Sequence, residues 1–287
     1  MTVSAGAGRD APELSANSRR VFRTYGVAVA LESNDPELLS AAAARLPPDT
    51  VETSEEGIGV TYTLVSSRPP GGNRVLYRLS DGGGLVGEGF RLSRRLDELE
   101  SAVRLYLAVH SPGLLFVHAG VVALKDRALV LPAASGAGKT TLVQALVELG
   151  ATYYSDEYAV LDPSGLVHPY ARSLSRRQGE HRRLLLDPEA DLGGRRADRP
   201  VPVALVVHTR YSPGAVWHPR PLAAGESGLA LFANTLGARE RPAFAFSTLT
   251  RAILVAHSFA GDRGDASDAA RALLRQLEST TPDPLTP

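Results

Sequence analysis

Residues 133–140 read AASGAGKT, and they directly follow an apolar run at residues 128–131. This segment matches the Walker A pattern of a phosphate-binding loop, with alanine at the first position, where glycine is usual. The lack of side chains at Gly136 and Gly138 would let the backbone wrap closely around phosphate oxygens. A helical pattern at residues 142–149 follows the loop, as the motif requires. The sequence therefore predicts a strand, a phosphate-binding loop and a helix in succession.

The polar residues of this loop suit the binding of ATP and Mg²⁺. Lys139 would offer a flexible ammonium to the β- and γ-phosphates, and Thr140 would offer a hydroxyl to the metal ion. Nearly all of the 31 basic side chains are arginine, and Lys125 is the only other lysine, so a lysine at position 139 stands out. The residues predicted to bind the nucleotide are Ala134, Ser135, Gly136, Ala137, Gly138, Lys139, Thr140 and Thr141.

An acidic pair follows the next predicted strand, residues 151–155. Phosphoryl transfer needs a carboxylate that holds Mg²⁺, and often a second one that accepts the proton of the acceptor hydroxyl. Asp156 and Glu157 suit these roles if their strand lies beside the strand that leads into the loop. Alone, such a pair is typical of a solvated turn, but its position after the loop helix favours function. We predict Thr140 and Asp156 as metal ligands, and Asp156, Glu157 and Lys139 as catalytic residues.

A histidine, His118, ends the apolar run that precedes the predicted hairpin. A lone histidine in such a position is more often a hydrogen-bonded structural residue than a functional one. Since its strand is expected beside the hairpin that enters the loop, His118 is retained as a catalytic candidate.

The segment at residues 172–183 is strongly basic. Most such segments are solvated, but in a kinase one or two members would neutralise the transferring charge or hold an anionic acceptor. Arg172 and Arg176 are the weakly favoured members of the segment. Arg210, just after an apolar run, is a similar candidate.

Composition and charge exclude several classes of function. The formal net charge is +0 with a pI of about 7.1, which gives no electrostatic argument for a nucleic-acid or anionic-membrane partner. The chain has no cysteine, which excludes disulfides, thiolate catalysis and cysteine-based zinc sites. No apolar run approaches the roughly 20 residues that span a bilayer, and residues 1–17 lack a secretory pattern. We predict a cytoplasmic protein with no nucleic-acid and no membrane partner.

The pattern of apolar runs and turns predicts an α/β chain with two folded parts. Residues 19–110 are expected to form a small α+β accessory domain, and residues 111–278 a P-loop catalytic domain with a mixed sheet. A polar turn at residues 125–127 joins two apolar runs and predicts an antiparallel hairpin that leads into the loop. Residues 1–18 and 279–287 are predicted to be disordered.

The segments FVHAG at residues 116–120, AASGAGKTT at 133–141 and SDE at 155–157 resemble the catalytic domain of the HPr kinase/phosphorylase family. The chain is more similar still to divergent HPr-kinase-like proteins, including kinases of lasso-peptide precursors, and more distantly similar to phosphoenolpyruvate carboxykinase. The resemblance implies a P-loop entered through an antiparallel hairpin, His118 as the family's histidine, and Asp156 with Glu157 as its acidic pair. Two departures, Ala133 and Glu157, and the lack of a downstream glycine-rich signature disfavour HPr itself as the acceptor.

These features together predict an ATP-dependent kinase that transfers the γ-phosphate to a Ser or Thr hydroxyl of a peptide or small protein. The resemblance implies a place in ribosomal peptide biosynthesis. A small-molecule hydroxyl kinase and a non-catalytic nucleotide-binding regulator are the alternatives. Intact Lys139, Thr140 and Asp156 favour catalysis over regulation. A second copy of the chain is left open as a further partner.

Overall fold

The computed structural model describes residues 18–54, 56–133, 138–178 and 182–280, which form six helices and seventeen strands. The predicted disordered ends, residues 1–18 and 279–287, lie outside the described residues except at their inner limits, where Ser18 belongs to β1 and Ser279 to α6. Four predicted nucleotide-binding residues (Ala134, Ser135, Gly136 and Ala137) also lie outside the described residues. The chain divides into two units between Arg104 and Leu105. Among the described residues, no helix has the length and apolar character needed to cross a membrane.

The first unit is built on a six-stranded mixed sheet with the strand order β3-β1-β2-β4-β5-β6. Strands β2 and β4 run parallel, and the connection between them contains a helix, α1, whose first turn is capped by the Asp35 carboxylate. The elements are β1 (Ser18–Thr24), β2 (Val27–Ser33), α1 (Pro36–Ala43), β3 (Val51–Glu52), β4 (Ile58–Ser67), β5 (Leu76–Asp81), β6 (Gly84–Gly89) and the start of α2 (Leu92–His110).

The second unit contains the end of α2 and a nine-stranded mixed sheet, together with a separate two-stranded hairpin, β12 and β13. The basic segment at residues 172–183 contributes to this hairpin. The elements are β7 (Leu115–Leu124), β8 (Arg127–Pro132), α3 (Lys139–Glu148), β9 (Thr152–Ser155), β10 (Tyr158–Leu161), β11 (Leu166–His168), β12 (Leu174–Gln178), β13 (Arg182–Leu186), β14 (Arg195–Arg196), β15 (Val201–Tyr211), β16 (Arg220–Pro221), α4 (Ala224–Ala233), α5 (Pro242–Leu254), β17 (His257–Arg263) and α6 (Ala266–Ser279).

The hairpin that leads towards the loop is confirmed. Strands β7 and β8 pair antiparallel, and the two residues between them, Lys125 and Asp126, have φ of 50° and 61°. Positive φ at both central residues is typical of a type I′ turn, whose twist matches that of the flanking strands. Strand β8 then pairs parallel with β15, which pairs parallel with β17. The carboxyl ends of these three strands therefore meet at one edge of the sheet.

The strand before the acidic pair does not lie where it was predicted. Strand β9 pairs with β7, and not with β8, the strand that leads into the loop. The reason is the length of β7, which pairs through its first half with β10 and through its second half with both β8 and β9. Since Ser155 pairs with Val121 and Tyr158 with His118, Asp156 comes opposite Gly120.

Two apolar layers cover the two faces of the larger sheet. On one face α3 and α6 pack through residues such as Leu142, Leu146 and Leu273. On the other face α4 and α5 pack through residues such as Leu231 and Leu249. Helix α3 approaches β7 most closely at Gly120, where an added Cβ would lie 2.7 Å from Cγ2 of Val143. This close contact holds the first turn of α3 near the acidic pair.

Candidate functional site

The site begins at the first turn of α3. Gly138 precedes the helix with φ of 79°, a left-handed conformation that favours glycine. Lys139 is the first helical residue, is 9% exposed, and donates from Nζ to the carbonyl oxygen of Ala133 at the end of β8. The lysine side chain therefore folds back across the start of the loop. Thr140 is half-buried, and Thr141 is exposed.

The Asp156 carboxylate is held by donors from three different segments. Oδ2 accepts a hydrogen bond from Oγ1 of Thr140 at 2.9 Å, and a longer one from the backbone N–H of Ser175 at 3.4 Å. Oδ1 accepts from the hydroxyl of Tyr153 at 3.0 Å. The carboxylate is therefore fixed against the first turn of α3 before any ligand binds.

The two predicted metal ligands have a spacing that suits Mg²⁺. Octahedral Mg²⁺ binds oxygen at about 2.0–2.1 Å, so neighbouring ligands of one ion lie about 2.9 Å apart. The distance between Oγ1 of Thr140 and Oδ2 of Asp156 is 2.9 Å. Among the described residues no group of three or more His, Cys, Asp or Glu side chains is arranged for a metal ion. A site of two protein oxygens fits Mg²⁺, since this ion usually completes its shell with water and phosphate.

Burial and charge oppose each other in this site. Burial lowers the pKa of Lys139 to about 8, although the Asp156 and Glu157 carboxylates favour its charged form. The pKa of Tyr153 is raised well above its ordinary value by burial and by the Asp156 carboxylate. Tyr153 is therefore a neutral hydrogen-bond donor to Asp156 throughout the physiological range. The site thus brings the buried Lys139 ammonium and the Asp156 and Glu157 carboxylates close to the Thr140 hydroxyl, which Asp156 holds in place.

His118 lies on β7, and Glu157 lies in the short bend between β9 and β10, where its backbone contacts β7. His118 is on β7, pairs with Tyr158, and accepts a backbone hydrogen bond from Ala133 at 3.4 Å. Its ring lies 5.8 Å from the Tyr158 ring, measured between centroids. The backbone of Glu157 accepts from Ala119 of β7 at 3.1 Å. Both residues are therefore attached to the strand that carries the hairpin.

The basic candidates are spread over the second unit. Arg176 donates to Oε1 of Gln144 at 3.2 Å, which places its guanidinium beside α3. The backbone N–H of Arg172 donates to Tyr170. Arg210 instead forms an exposed ion pair with Asp262, at 2.9 Å between NH2 and Oδ2. A carboxylate already neutralises Arg210, so we do not retain it for phosphate binding.

Sequence reasoning missed three contributors to this region: the Tyr153 hydroxyl, the Ser175 amide and Arg263. Arg263 ends β17, is 2% exposed, and donates from NH2 to the carbonyl oxygen of Gly138 at 2.9 Å. The available signal was weak: a polar Asp-Arg-Gly at residues 262–264 follows a short apolar run and precedes the last helix. That pattern did not identify a strand.

Neither a scan against protein-family models nor a search of the curated proteins found a match to this chain.

Proposed function

We propose that this protein is an ATP-dependent kinase that transfers the γ-phosphate to a Ser or Thr hydroxyl of a peptide or small protein. The observation that carries the proposal is the 2.9 Å contact between Oγ1 of Thr140 and Oδ2 of Asp156. This contact joins the hydroxyl that follows a Walker A lysine to a carboxylate directly after β9. The same two groups hold the metal ion in phosphate-binding loops of this kind.

The first turn of α3 would bind the phosphates. The amino end of a helix points N–H groups and partial positive charge at a bound anion, and Lys139 adds a charge that burial keeps away from bulk water. Lys139 now donates to Ala133, so binding exchanges this hydrogen bond for contacts with phosphate oxygens. Residues 134–137 complete the predicted loop.

Thr140 and Asp156 would hold Mg²⁺, which when bound neutralises charge on the phosphates. The three donors that already hold this carboxylate, from Thr140, Ser175 and Tyr153, suit Asp156 to bind a metal ion in a fixed position. Glu157 or His118 would then take the proton of the acceptor hydroxyl as its oxygen forms a bond to the γ-phosphorus and ADP departs. Lys139 would neutralise negative charge on the phosphate oxygens during the transfer.

The hairpin supports assignment to the HPr-kinase-like type of P-loop domain. Ordinary P-loop proteins enter the loop from a strand within a parallel sheet. Here β8 is the second strand of an antiparallel hairpin, and it pairs parallel only on its other side, with β15. This mixed environment is the feature that the sequence resemblance implies. The resemblance also favours a peptide as the acceptor and ribosomal peptide biosynthesis as the setting.

A labelling experiment tests the proposal. Purified protein with γ-labelled ATP and Mg²⁺ is incubated with a lysate of the source organism, beside Lys139→Ala and Asp156→Asn. We expect label on a discrete polypeptide, with initial rates at least about 100-fold lower in both variants. Glu148→Gln, a change of an exposed carboxylate at the far end of α3, is the matched control and keeps full activity.

The other outcomes separate the alternatives. Label that appears only in metabolites would replace the peptide acceptor with a small molecule. Tight binding of ATP with no transfer to any acceptor would refute the kinase and favour a nucleotide-binding regulator.

A further inference from the structure

Arg263 is a buried cation at the amino end of α3. Its guanidinium donates to the carbonyl oxygens of Gly138 at 2.9 Å and Gly264 at 3.3 Å, and lies 5.5 Å from the centre of the Tyr211 ring. Its Nε has no hydrogen-bond partner within the described part of the chain. Burial lowers its pKa from the ordinary value. No carboxylate in the described residues forms an ion pair with it, although the Asp265 carboxylate favours its charged form without pairing with it.

The helix end beside Arg263 makes the charge more costly. The amino end of a helix carries partial positive charge, and cations are stabilised at the opposite end. Gly138 is the residue immediately before α3, and the next residue is the buried Lys139. Two cations therefore gather at the positive end of one helix, in a region largely removed from water. A buried charge of this kind is expensive unless an anion compensates it.

The sheet explains why the guanidinium reaches the loop. Strands β8, β15 and β17 are parallel neighbours, so the end of β17 lies at the same edge as the end of β8, where the loop begins. Arg263 pairs with Tyr211 at the end of β15. Tyr211 and Arg263 each lie four residues after Val207 and Phe259, so they belong to the same face of the sheet. Val207 and Phe259 pack on the face that α3 covers. Arg263 therefore approaches the loop from beneath the first turn of α3.

We propose that Arg263 binds phosphate oxygens of the triphosphate, as a second cation beside Lys139; this inference rests on the proposed nucleotide site. The flat guanidinium presents several donors in a fixed fork, which suits two phosphate oxygens at once and complements the single ammonium of the lysine. The bound anion would also add counter-charge beside Arg263. A polyphosphate suits this site better than a single phosphate, because its successive phosphate groups can contact Lys139 and Arg263 at once.

The competing interpretation is that Arg263 only holds α3 against β17 through the Gly138 carbonyl. The two interpretations differ in sign for the free protein. A structural clamp loses stability when the guanidinium is removed. A ligand-binding cation that is uncompensated in the free protein loses affinity for the anion, and its removal leaves the free protein equally stable or more stable.

The experiment measures binding of inorganic tripolyphosphate and of Mg-ATP by calorimetry, and thermal unfolding with and without each ligand. The full-length protein is compared with Arg263→Met, Lys139→Ala and Arg241→Met. Arg241 is the matched control, because it is an arginine with a lowered pKa whose guanidinium donates to the backbone carbonyls of Ala108, Ser111 and Leu114 and to no described residue of the proposed site. We expect Arg263→Met to bind tripolyphosphate about 10- to 100-fold more weakly, with an unfolding temperature without ligand that is unchanged or higher. Arg241→Met should show the reverse: normal affinity and a lower unfolding temperature.

Each result has one meaning. Failure of the wild type to bind either ligand overturns the nucleotide site, and this inference with it. Binding that Lys139→Ala abolishes and Arg263→Met leaves unchanged overturns the role of Arg263 alone. If Arg263→Met does not fold, Arg263 is needed for stability, and Arg263→Lys then tests whether the guanidinium also binds phosphate. That variant keeps the charge but loses the fork, and affinity equal to the wild type would refute phosphate binding by the guanidinium.

Discussion

Arg241 and Arg263 each place a guanidinium against a helix end, and the two helix ends have opposite polarity. Arg241 donates to the carbonyl oxygens of Ala108, Ser111 and Leu114, at the carboxyl end of α2, where a cation is favoured. Arg263 reaches the amino end of α3, where a cation is disfavoured. Both have a lowered pKa and an Nε without a partner within the described ranges. Burial and an unpaired Nε are therefore common to both arginines and do not distinguish a structural arginine from a ligand-binding one. The feature that distinguishes them is the polarity of the neighbouring helix end.

The largest expected difference concerns stability without ligand. Arg241→Met removes the donor from three carbonyls, two of them in buried residues, and should lower the free energy of unfolding by about 3 kcal/mol. Arg263→Met should change it by less than about 1 kcal/mol, because lost hydrogen bonds are offset by removal of an uncompensated charge. Urea denaturation measures both values. Equal losses in the two variants would show that helix polarity does not distinguish the two arginines.

A second prediction uses Gly138, which the guanidinium of Arg263 approaches closely. An added Cβ would lie 2.6 Å from NH2 of Arg263 on a backbone with φ of 79°, so Gly138→Ala should cost about 2 kcal/mol. In an Arg263→Ala background the steric part disappears and about 1 kcal/mol of backbone strain remains. Gly150→Ala is the control, since its φ of 97° is strained while no atom lies within 4 Å of the new Cβ. A cost that is the same in both backgrounds would contradict the close approach.

The aromatic rings beside the two arginines give a smaller effect. Tyr211 lies 5.5 Å from Arg263, and Phe244 lies 4.9 Å from Arg241, each measured to the ring centre. Tyr211→Leu should weaken tripolyphosphate binding by about 2- to 5-fold, because the ring helps to hold the cation. Phe244→Leu should leave binding unchanged and lower the free energy of unfolding by about 1 kcal/mol. If Tyr211→Leu and Phe244→Leu both lower the free energy of unfolding and neither changes tripolyphosphate affinity, the proposed difference between Arg263 and Arg241 is wrong.

The smallest effect is expected for Arg210, one residue before the partner of Arg263 in the strand register. Its exposed ion pair with Asp262 is screened by solvent, so Arg210→Gln should leave the urea midpoint unchanged within error. Affinity for tripolyphosphate should also remain within about 2-fold, because its charge is already neutralised. A marked loss of affinity would return Arg210 to the phosphate site.

The parts of the site that were predictable are those encoded locally. The hairpin and α3 lie within residues 115–148, and turn chemistry with apolar periodicity identifies both of them. Residues 134–137 of the predicted loop between them lie outside the described residues. Thr140 and Asp156 were chosen for their chemistry, and the structure places their oxygens 2.9 Å apart. Their metal-binding role stays a prediction.

The parts that were missed depend on pairing between distant segments. Strand β9 was predicted beside β8, but the neighbour of a strand is set by non-local pairing that no local pattern reports. Strand β17 is a short run with small and polar residues, and its pairing with β15, about 50 residues earlier, and with β16 makes it a strand. Arg263 was missed with it. A buried arginine at the end of a strand can be predicted from the sequence only when the strand itself can be predicted.

Strand β7 supports every part of the proposed site. It pairs with β8, β9 and β10, carries His118, and faces α3 across Gly120. Backbone amides in such a central, buried strand exchange with solvent mainly through the largest opening motions of a domain, and rarely through local fraying. In hydrogen-exchange experiments the amides of β7 should therefore be among the slowest in the second unit. The relative positions of His118, Asp156 and α3 would then persist through local opening of elements that do not contact them, so an acceptor could enter or leave without disassembling the groups that act on it.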